Sequence, residues 1–299
     1  MKNPTIVFTL LLFSASNLIF AQEVAKLPLT KLSDIYIQSN MYTDISAQHS
    51  FNDFKKMEPN SSTLSKDFSE YNYSNQNIAI NSTIMFSILA GFKMRESDKT
   101  SWKKNMQMRI GINYLPYAGF DGKMSKKNTY IIDTLVSKKN GNEYYIDSVN
   151  YDNYRFRYNN DQLRIHVSYI YSSNPDLKWS IYGGFGINAG GSLVNNLEIV
   201  HSNYTKFNST NNNTSYLAGI EEYENNEIIK CKRNFGGSVF LPFGIDYRLA
   251  NSNQFFSKIH LFYEISPGLN FNYIPELEKF SNTINAQIGT QLFGLRVSI

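Results

Sequence analysis

Cysteine is almost absent from this chain of 299 residues; Cys231 stands alone. A single thiol excludes an intramolecular disulfide and a cysteine-rich metal centre. No cysteine lies near the leader, which excludes a lipid-anchored lipoprotein. Long apolar runs are also missing. After Ala21 no stretch approaches the ~18 apolar residues that a membrane-spanning helix requires. Neither sign of charge dominates. The 29 Lys and Arg against 25 Asp and Glu give +4, too small and too scattered an excess to argue for nucleic acid. Specific nucleotide, metal and nucleophile motifs are missing as well. No enzyme activity, cofactor, catalytic residue or metal is therefore expected. His49, Ser50 and Asp53 are close in sequence, but closeness is not a catalytic triad.

What is present begins with an export signal. Lys2 is a positive n-region, residues 6–13 form a short apolar h-region, and Phe20-Ala21-Gln22 is a cleavage site with a small residue in place. Residues 1–21 are expected to be a signal peptide and 22–299 a single outer-membrane β-barrel domain. The mean hydropathy of -0.36 does not oppose this, because alternating strands dilute their own hydropathy.

Alternation is the dominant pattern. In residues 78–94, Ile78, Ile80, Ile84, Phe86, Ile88, Ala90, Phe92 and Met94 share one parity. Asn81, Thr83, Ser87, Gly91 and Lys93 share the other. That is a strand with one apolar and one polar, small-residue face. It is longer than the five or six residues usual in soluble sheets, and long enough to cross a bilayer at a tilt. The pattern recurs at 104–117, 162–171, 179–191, 235–249, 257–271 and 283–299, with a weaker instance at 33–42. In the last full strand the parity switches, which predicts a bulge near 289–292.

The connections alternate strictly in length. Residues 95–103, 172–178 and 250–256 are short; 43–77, 118–161 and 193–234 are long, and 272–282 is intermediate. Outer-membrane barrels have short periplasmic turns and long extracellular loops. The expected fold is therefore all-β: an eight-stranded antiparallel transmembrane barrel with periplasmic termini and long extracellular loops. Phe92, Tyr169, Tyr171, Trp179 and Tyr247 face outward beside the short turns, Trp102 lies in one of them, and Tyr114 and Tyr117 sit beside a long loop. These are two aromatic girdles. A soluble lipocalin-like barrel shares the periodicity but not the strand lengths or the charges on the polar parity.

The polar parity names an interior. Arg109, Arg164, His166, Asp246, Arg248, His260, Glu264 and Arg296 fall on it, with Lys93 and Tyr182. An eight-stranded barrel is just wide enough to be filled by side chains. These residues are expected to form a salt-bridged plug, with Glu264 able to meet Arg109 or a neighbouring Arg. A narrow polar channel is the alternative, and a membrane-embedded lipid-modifying enzyme a more distant one.

The long loops carry their own signals. Phe51, Phe54 and Met57 have helical spacing and stop near Pro59, which predicts a short helix on the barrel mouth. Asn140-Gly141 between two β-rich runs predicts a hairpin over 129–149. It stands above the membrane as a two-stranded extension, with Lys138 and Lys139 at its tip and Tyr144, Tyr145, Tyr151 and Tyr154 on its returning side. Those six residues are the expected partner-binding surface. The Asn-rich stretch 208–213 reads as mobile. Glu221, Glu222, Glu224 and Glu227 read as a solvated acidic face rather than a cation site.

Three segments resemble a known family. They are Phe240-Leu-Pro-Phe-Gly-Ile-Asp-Tyr-Arg-Leu249, Phe262-Tyr-Glu-Ile-Ser-Pro-Gly-Leu269 and Leu32-Ser-Asp-Ile-Tyr-Ile-Gln-Ser39. They look like outer-membrane β-barrel proteins of the Bacteroidetes, in size and strand count like the small OmpA/OmpX-like or PorT-like barrels. The resemblance implies a monomer in contact with outer-membrane lipid, with a structural or surface-binding role. Its expected partner is an extracellular protein or glycan, or a secretion or motility complex.

Overall fold

Alternation resolves into antiparallel strands in the computed structural model, which describes residues 31–46, 49–74, 79–94, 105–136, 141, 143–174, 177–209, 215–216, 223–250, 253–277 and 284–299. The expected signal peptide, Trp102, Lys138 and Lys139 lie outside the described residues, as do 210–213, Glu221 and Glu222. The strands are β1 (Lys31–Ser46), β2 (Asn72–Ser74), β3 (Ala79–Lys93), β4 (Met106–Leu115), β5 (Phe120–Val136), β6 (Glu143–Ser172) and β7 (Trp179–Ser209). They continue with β8 (Ser215–Tyr216), β9 (Tyr223–Lys230), β10 (Phe235–Phe240), β11 (Phe243–Arg248), β12 (Ile259–Tyr273) and β13 (Ile284–Ser298). Among the described residues one α-helix, α1, spans Phe51–Met57.

Eight of these positions close into a ring. β1 pairs with β3, β3 with β4, β4 with β6 and β6 with β7. β10 and β11 together follow β7, then β12, and β13 pairs back to β1. The weak first strand is the closing one. Ile37 lies opposite Leu295 on one side and Ile88 on the other. The expected single strand over 235–249 is two strands. Pro242 has no N–H to give a ladder, so pairing stops at Phe240 and resumes at Phe243. The Pro242 carbonyl instead accepts the Gly184 N–H at 2.9 Å. In β13 the register slips between Phe293 and Gln291. Leu292 and Phe293 are both exposed in consequence, a bulge that accounts for the parity switch.

The two faces of the ring differ sharply. Exposed outside are Ile35 and Ile37, Ile84 to Ile88 at alternate positions, Ile110 and Ile112, and Leu163 and Ile165. The band continues through Ile181, Phe185 and Ile187, Val239 to Ile245, Leu261 to Ile265, and Ile288. Buried inside are Asp34, Gln38, Asn40, Arg109, Asn113, Arg164, His166, Asn188, Asp246, His260, Glu264 and Asn270. A soluble barrel has the reverse sidedness, with its apolar parity turned inward.

At the long-loop end the sheet continues far beyond the ring. β5 pairs with β6 from Phe120 opposite Tyr158 to Val136 opposite Glu143. β7 pairs with β6 out to Ser209 opposite Ile146. β9 pairs with β7 from Lys230 opposite Asn196 to Tyr223 opposite Asn203. The expected two-stranded extension is thus a sheet in the order β5-β6-β7-β9. The segment 193–234, read as loop, is largely strand where it is described. The reason is a bulge. The β6–β7 register shifts at Asp161/Gln162, leaving Leu193 and Val194 both exposed, so alternation on β7 changes phase there.

One face of this outer sheet carries an apolar cluster. Tyr154, Phe156, Tyr158, Leu197 and Ile199 pack against Phe54, Met57, Leu64 and Phe68, with Ile274 and Leu277 completing it. Helix α1 supplies the opposing wall because Phe54 and Met57 fall on one side of it. Its start is fixed by Asp53, whose carboxylate accepts the Ser50 N–H at 2.8 Å and the Ser50 Oγ hydroxyl at 3.0 Å. Pro59 follows its end.

Candidate functional site

The interior fills in layers from the short-turn end upward. Lowest is a charged knot. Arg296 lies 3.1 Å from Asp246 through Nη1 and 3.3 Å from Asp34 through Nε. The Nε contact is an ion pair without hydrogen-bond alignment. His260 bridges the same group, with Nδ1 2.6 Å from Asp246 Oδ1 and Nε2 3.1 Å from Arg296 Nη2. Asp34 also accepts Ser33 and Ser298 hydroxyls at 2.6 and 2.7 Å and the Gln107 side-chain amide. One guanidinium, one imidazole and two carboxylates close to one another satisfy most of their own hydrogen-bonding capacity. Arg248 and Lys93 stay at the rim, Arg248 partly exposed and Lys93 exposed.

The next layer is built on Arg109. Its guanidinium donates to Glu264 at 2.7 Å and lies over the rings of Tyr36 at 4.2 Å, Tyr182 at 4.8 Å and Phe262 at 5.7 Å. Glu264 also accepts the Tyr182 hydroxyl and the Ser266 hydroxyl, each at 3.0 Å. A desolvated cation thus meets one carboxylate and three ring faces. Above it, His166 sits between Asn113 Nδ2 at 3.3 Å and Ser168 Oγ at 2.9 Å.

Arg164 forms the uppermost layer and is 1% exposed. It donates to amide oxygens: Gln162 at 2.6 Å, Asn188 at 3.2 Å, Asn270 at 3.1 Å and Asn272 at 3.3 Å. No carboxylate pairs with it among the described residues. Gly236 makes room for this fan, since a Cβ there would come within 2.9 Å of Arg164 Nη2. All eight sequence-predicted interior residues therefore face the lumen or its rim. Asp34, Gln107, Gln162, Asn188 and Asn270 complete the network. The signal of the four amides was weak because on the polar parity of a strand they look like any small polar filler.

The six surface candidates divide. Tyr151 stacks on Tyr204 at 4.9 Å, with Lys127 and Lys206 over its ring. Tyr144 and Tyr145 lie on β6 opposite Leu135 and Thr134. Tyr154 is a correction. It is 4% exposed and belongs to the apolar cluster, because it falls on the parity of Phe156 and Tyr158, opposite to that of Tyr151. His49 stacks its ring on Phe120 at 3.5 Å with Nδ1 3.9 Å from Asp53 Oδ2, and the Ser50 hydroxyl donates to that carboxylate. Burial pulls the His49 pKa down to about 4, against a weaker upward pull from Asp53. Glu227 does not stand in solvent alone. It accepts the Thr63 hydroxyl at 2.7 Å, tying the segment after α1 to β9.

Among the described residues no group of three or more His, Cys, Asp or Glu is placed to hold a metal. Among the described residues no helix is long and apolar enough to cross a membrane. No family model matches the chain, and a search of curated proteins finds no match. The toluene transporter TbuX of Ralstonia pickettii aligns over 93% of this chain and 92% of its own at 7% identity, with a TM-score of 0.18. At that score the two chains share no spatial arrangement from which anything transfers.

Proposed function

We propose that this protein is an eight-stranded outer-membrane β-barrel of the Bacteroidetes type. In this reading its lumen is plugged, and it plays a structural or surface-binding role through the sheet at its long-loop end, without catalysis. The observation that carries the reading is an inversion of polarity along β6. Within the ring its exposed parity is Leu163 and Ile165, followed by Val167 and Tyr169, and its buried parity is Gln162, Arg164, His166 and Ser168. Above Asp161 the same two faces exchange character. Arg155 and Arg157 take the outer face, paired with Asp121 at 2.9 Å and Glu198 at 3.3 Å. Phe156 and Tyr158 take the inner one. Water on both sides of a ring selects no such band; a hydrocarbon layer that ends near residue 161 does.

The dimensions agree. Eight residue steps from Leu163 to Tyr171 rise about 20 Å at ~3.3 Å per residue and a tilt of ~40°, close to the ~25 Å apolar band of such barrels. Aromatic pairs sit at the short-turn rim, where Trp179 lies 4.4 Å from Tyr247 and Tyr169 stacks on Phe185 at 5.2 Å. Tyr and Trp favour that interface. On this reading the short turns and both termini are periplasmic and the outer sheet is extracellular.

The test is fractionation followed by planar-bilayer recording. The protein is expected in the outer-membrane fraction, migrating faster unboiled than boiled in detergent gels, with no steady conductance. Recovery from the periplasm without detergent would end the membrane reading. Large steady currents would end the plugged-lumen reading and favour a channel.

A further inference from the structure

On the outer sheet, a cleft of about 280 Å³ opens between the segment after α1 and strands β6, β7 and β9. We propose that it is a binding site for a neutral saccharide unit, such as the terminal residue of a glycan. The inference deepens the surface-binding reading above and rests on it for the side of the membrane the cleft faces.

Strand register builds one wall. Tyr154 lies opposite His201, and His201 lies opposite Asn225. The three side chains form a row across β6, β7 and β9 on a single face. The imidazole stacks on the Tyr154 ring at 4.1 Å and 6°, and its Nε2 is 2.7 Å from Asp152 Oδ1. Asp152 also accepts the Tyr71 hydroxyl at 2.5 Å, so the ring is held from the side as well as from below. It keeps 22% side-chain exposure. The result is a rigid aromatic platform with one covered face and an open edge beside an exposed amide.

The opposite wall comes from the chain after α1. Lys66 Nζ donates to Tyr154 Oη at 3.2 Å, and Thr63 donates to Glu227. Lys66 and Glu227 contribute one charge of each sign, so the cleft has no net preference for an anion or a cation. Its other polar groups are the hydroxyls of Ser62 and Thr63 and the Asn225 amide, which both donate and accept; Asn226, opposite Val200, turns its side chain to the other face of the sheet. A ligand that matches must also both donate and accept at closely spaced points, as the hydroxyls of a sugar do. The apolar floor of Tyr154 and Ile199 is nearly fully buried, so an apolar ligand would find little to cover. The volume lies below the ~300 Å³ at which drug-sized pockets begin, which limits the guest to about one ring.

Titration of the detergent-purified full chain with methyl glucoside, methyl galactoside, methyl mannoside and their disaccharides tests this, with glucuronate and inorganic phosphate alongside. The expected result is saturable binding of at least one neutral glycoside, with no saturable binding of glucuronate or phosphate. Asn225→Ala should weaken that binding at least tenfold. Asn225 is exposed, so the variant should keep the wild-type heat-modifiable mobility that reports folding. Ile131→Arg, at the far end of the sheet, should bind as wild type. Failure of every neutral glycoside to bind, binding confined to glucuronate or phosphate, or binding indifferent to Asn225→Ala would each overturn the proposal. Purified protein binds or fails to bind whichever way the cleft faces. A negative result therefore counts against the cleft, while the surface reading is judged separately on whole cells.

Discussion

Arg109 Nη1 and Glu264 Oε2 meet at 2.7 Å, with about 4% exposure on each side chain. The two strands that carry them, β4 and β12, are not neighbours; β13, β1 and β3 lie between them on one arc of the ring. The pair therefore crosses the lumen and braces opposite walls. Tyr36, Tyr182 and Phe262 surround the guanidinium at that height.

Removing one partner from such a pair leaves a charge buried without compensation, which typically costs about 3–5 kcal/mol. Glu264→Ala is expected to lower the temperature at which the folded, fast-migrating band converts to the slow one. Arg109→Met/Glu264→Leu, which removes both charges, should lose much less. Equal melting of Glu264→Ala and wild type would show that the strut does not brace the ring.

How much of this was legible from residues alone depends on whether polarity followed position. Ring strands could be read because each keeps one apolar face, and even the weak β1 was demanded by an even count. Helix α1 was readable from Phe51, Phe54 and Met57, and the β13 bulge from its parity switch. The outer part of β7 was not readable, because the bulge at Leu193 breaks its alternation and Asn195 and Asn196 imitate a loop. Tyr154 was misplaced for a related reason. Tyrosine suits both an exposed contact surface and a core, and only the phase set by Phe156 and Tyr158 decides between them. The lumen partners of Arg164 are invisible in sequence because Asn188 and Asn270 come from strands whose register no local pattern fixes.

The outer face supplies a second prediction. Ile88 is 57% exposed on the ring and Ile131 is 65% exposed on the outer sheet. If hydrocarbon surrounds the ring, Ile88→Arg should cost about 2–4 kcal/mol, as charged residues do near the bilayer midplane. Ile131→Arg should stay within about 0.5 kcal/mol, as surface changes usually do. Refolding yield into lipid vesicles reads the difference. Equal tolerance of the two substitutions would remove the hydrocarbon band from the argument.

Acid should loosen the segment around α1. His49 stacks on Phe120, and its pKa falls from the ordinary 6.5 to about 4 because burial disfavours the imidazolium. Between those values the released segment binds a proton that the docked one does not. Stability conferred by docking is therefore full above pH 6.5 and declines as pH falls toward 4, by at most on the order of 3 kcal/mol. Limited proteolysis of the purified protein near α1 should be faster at pH 5 than at pH 7. His49→Phe, which keeps a ring against Phe120 and cannot be protonated, should flatten that dependence. Cleavage equal at the two pH values in wild type would show that His49 does not gate the docking.

Topology makes the last prediction. Val136 ends β5 and Glu143 begins β6, with the two opposite one another, so the chain reverses between them. Gly141 in that reversal has φ +69, a left-handed backbone that glycine adopts at little cost. In sequence Lys138 and Lys139 fall between Val136 and Glu143. Proteases need an extended, unpaired stretch, and connections at hairpin tips are where nicking concentrates. The lysines on β5 are less suited: Lys123, Lys126 and Lys127 lie in a paired strand, and Lys126 also pairs with Glu70. Trypsin added to intact cells should therefore cut first at Lys138 or Lys139. The two fragments should remain together in the membrane, because β6 stays paired to β4 and β5, and β13 to β1, across the cut. An epitope inserted at Asn140 should be reached by antibody on unpermeabilised cells. Access only after the outer membrane is opened would invert the orientation proposed here and place the saccharide cleft on the periplasmic side.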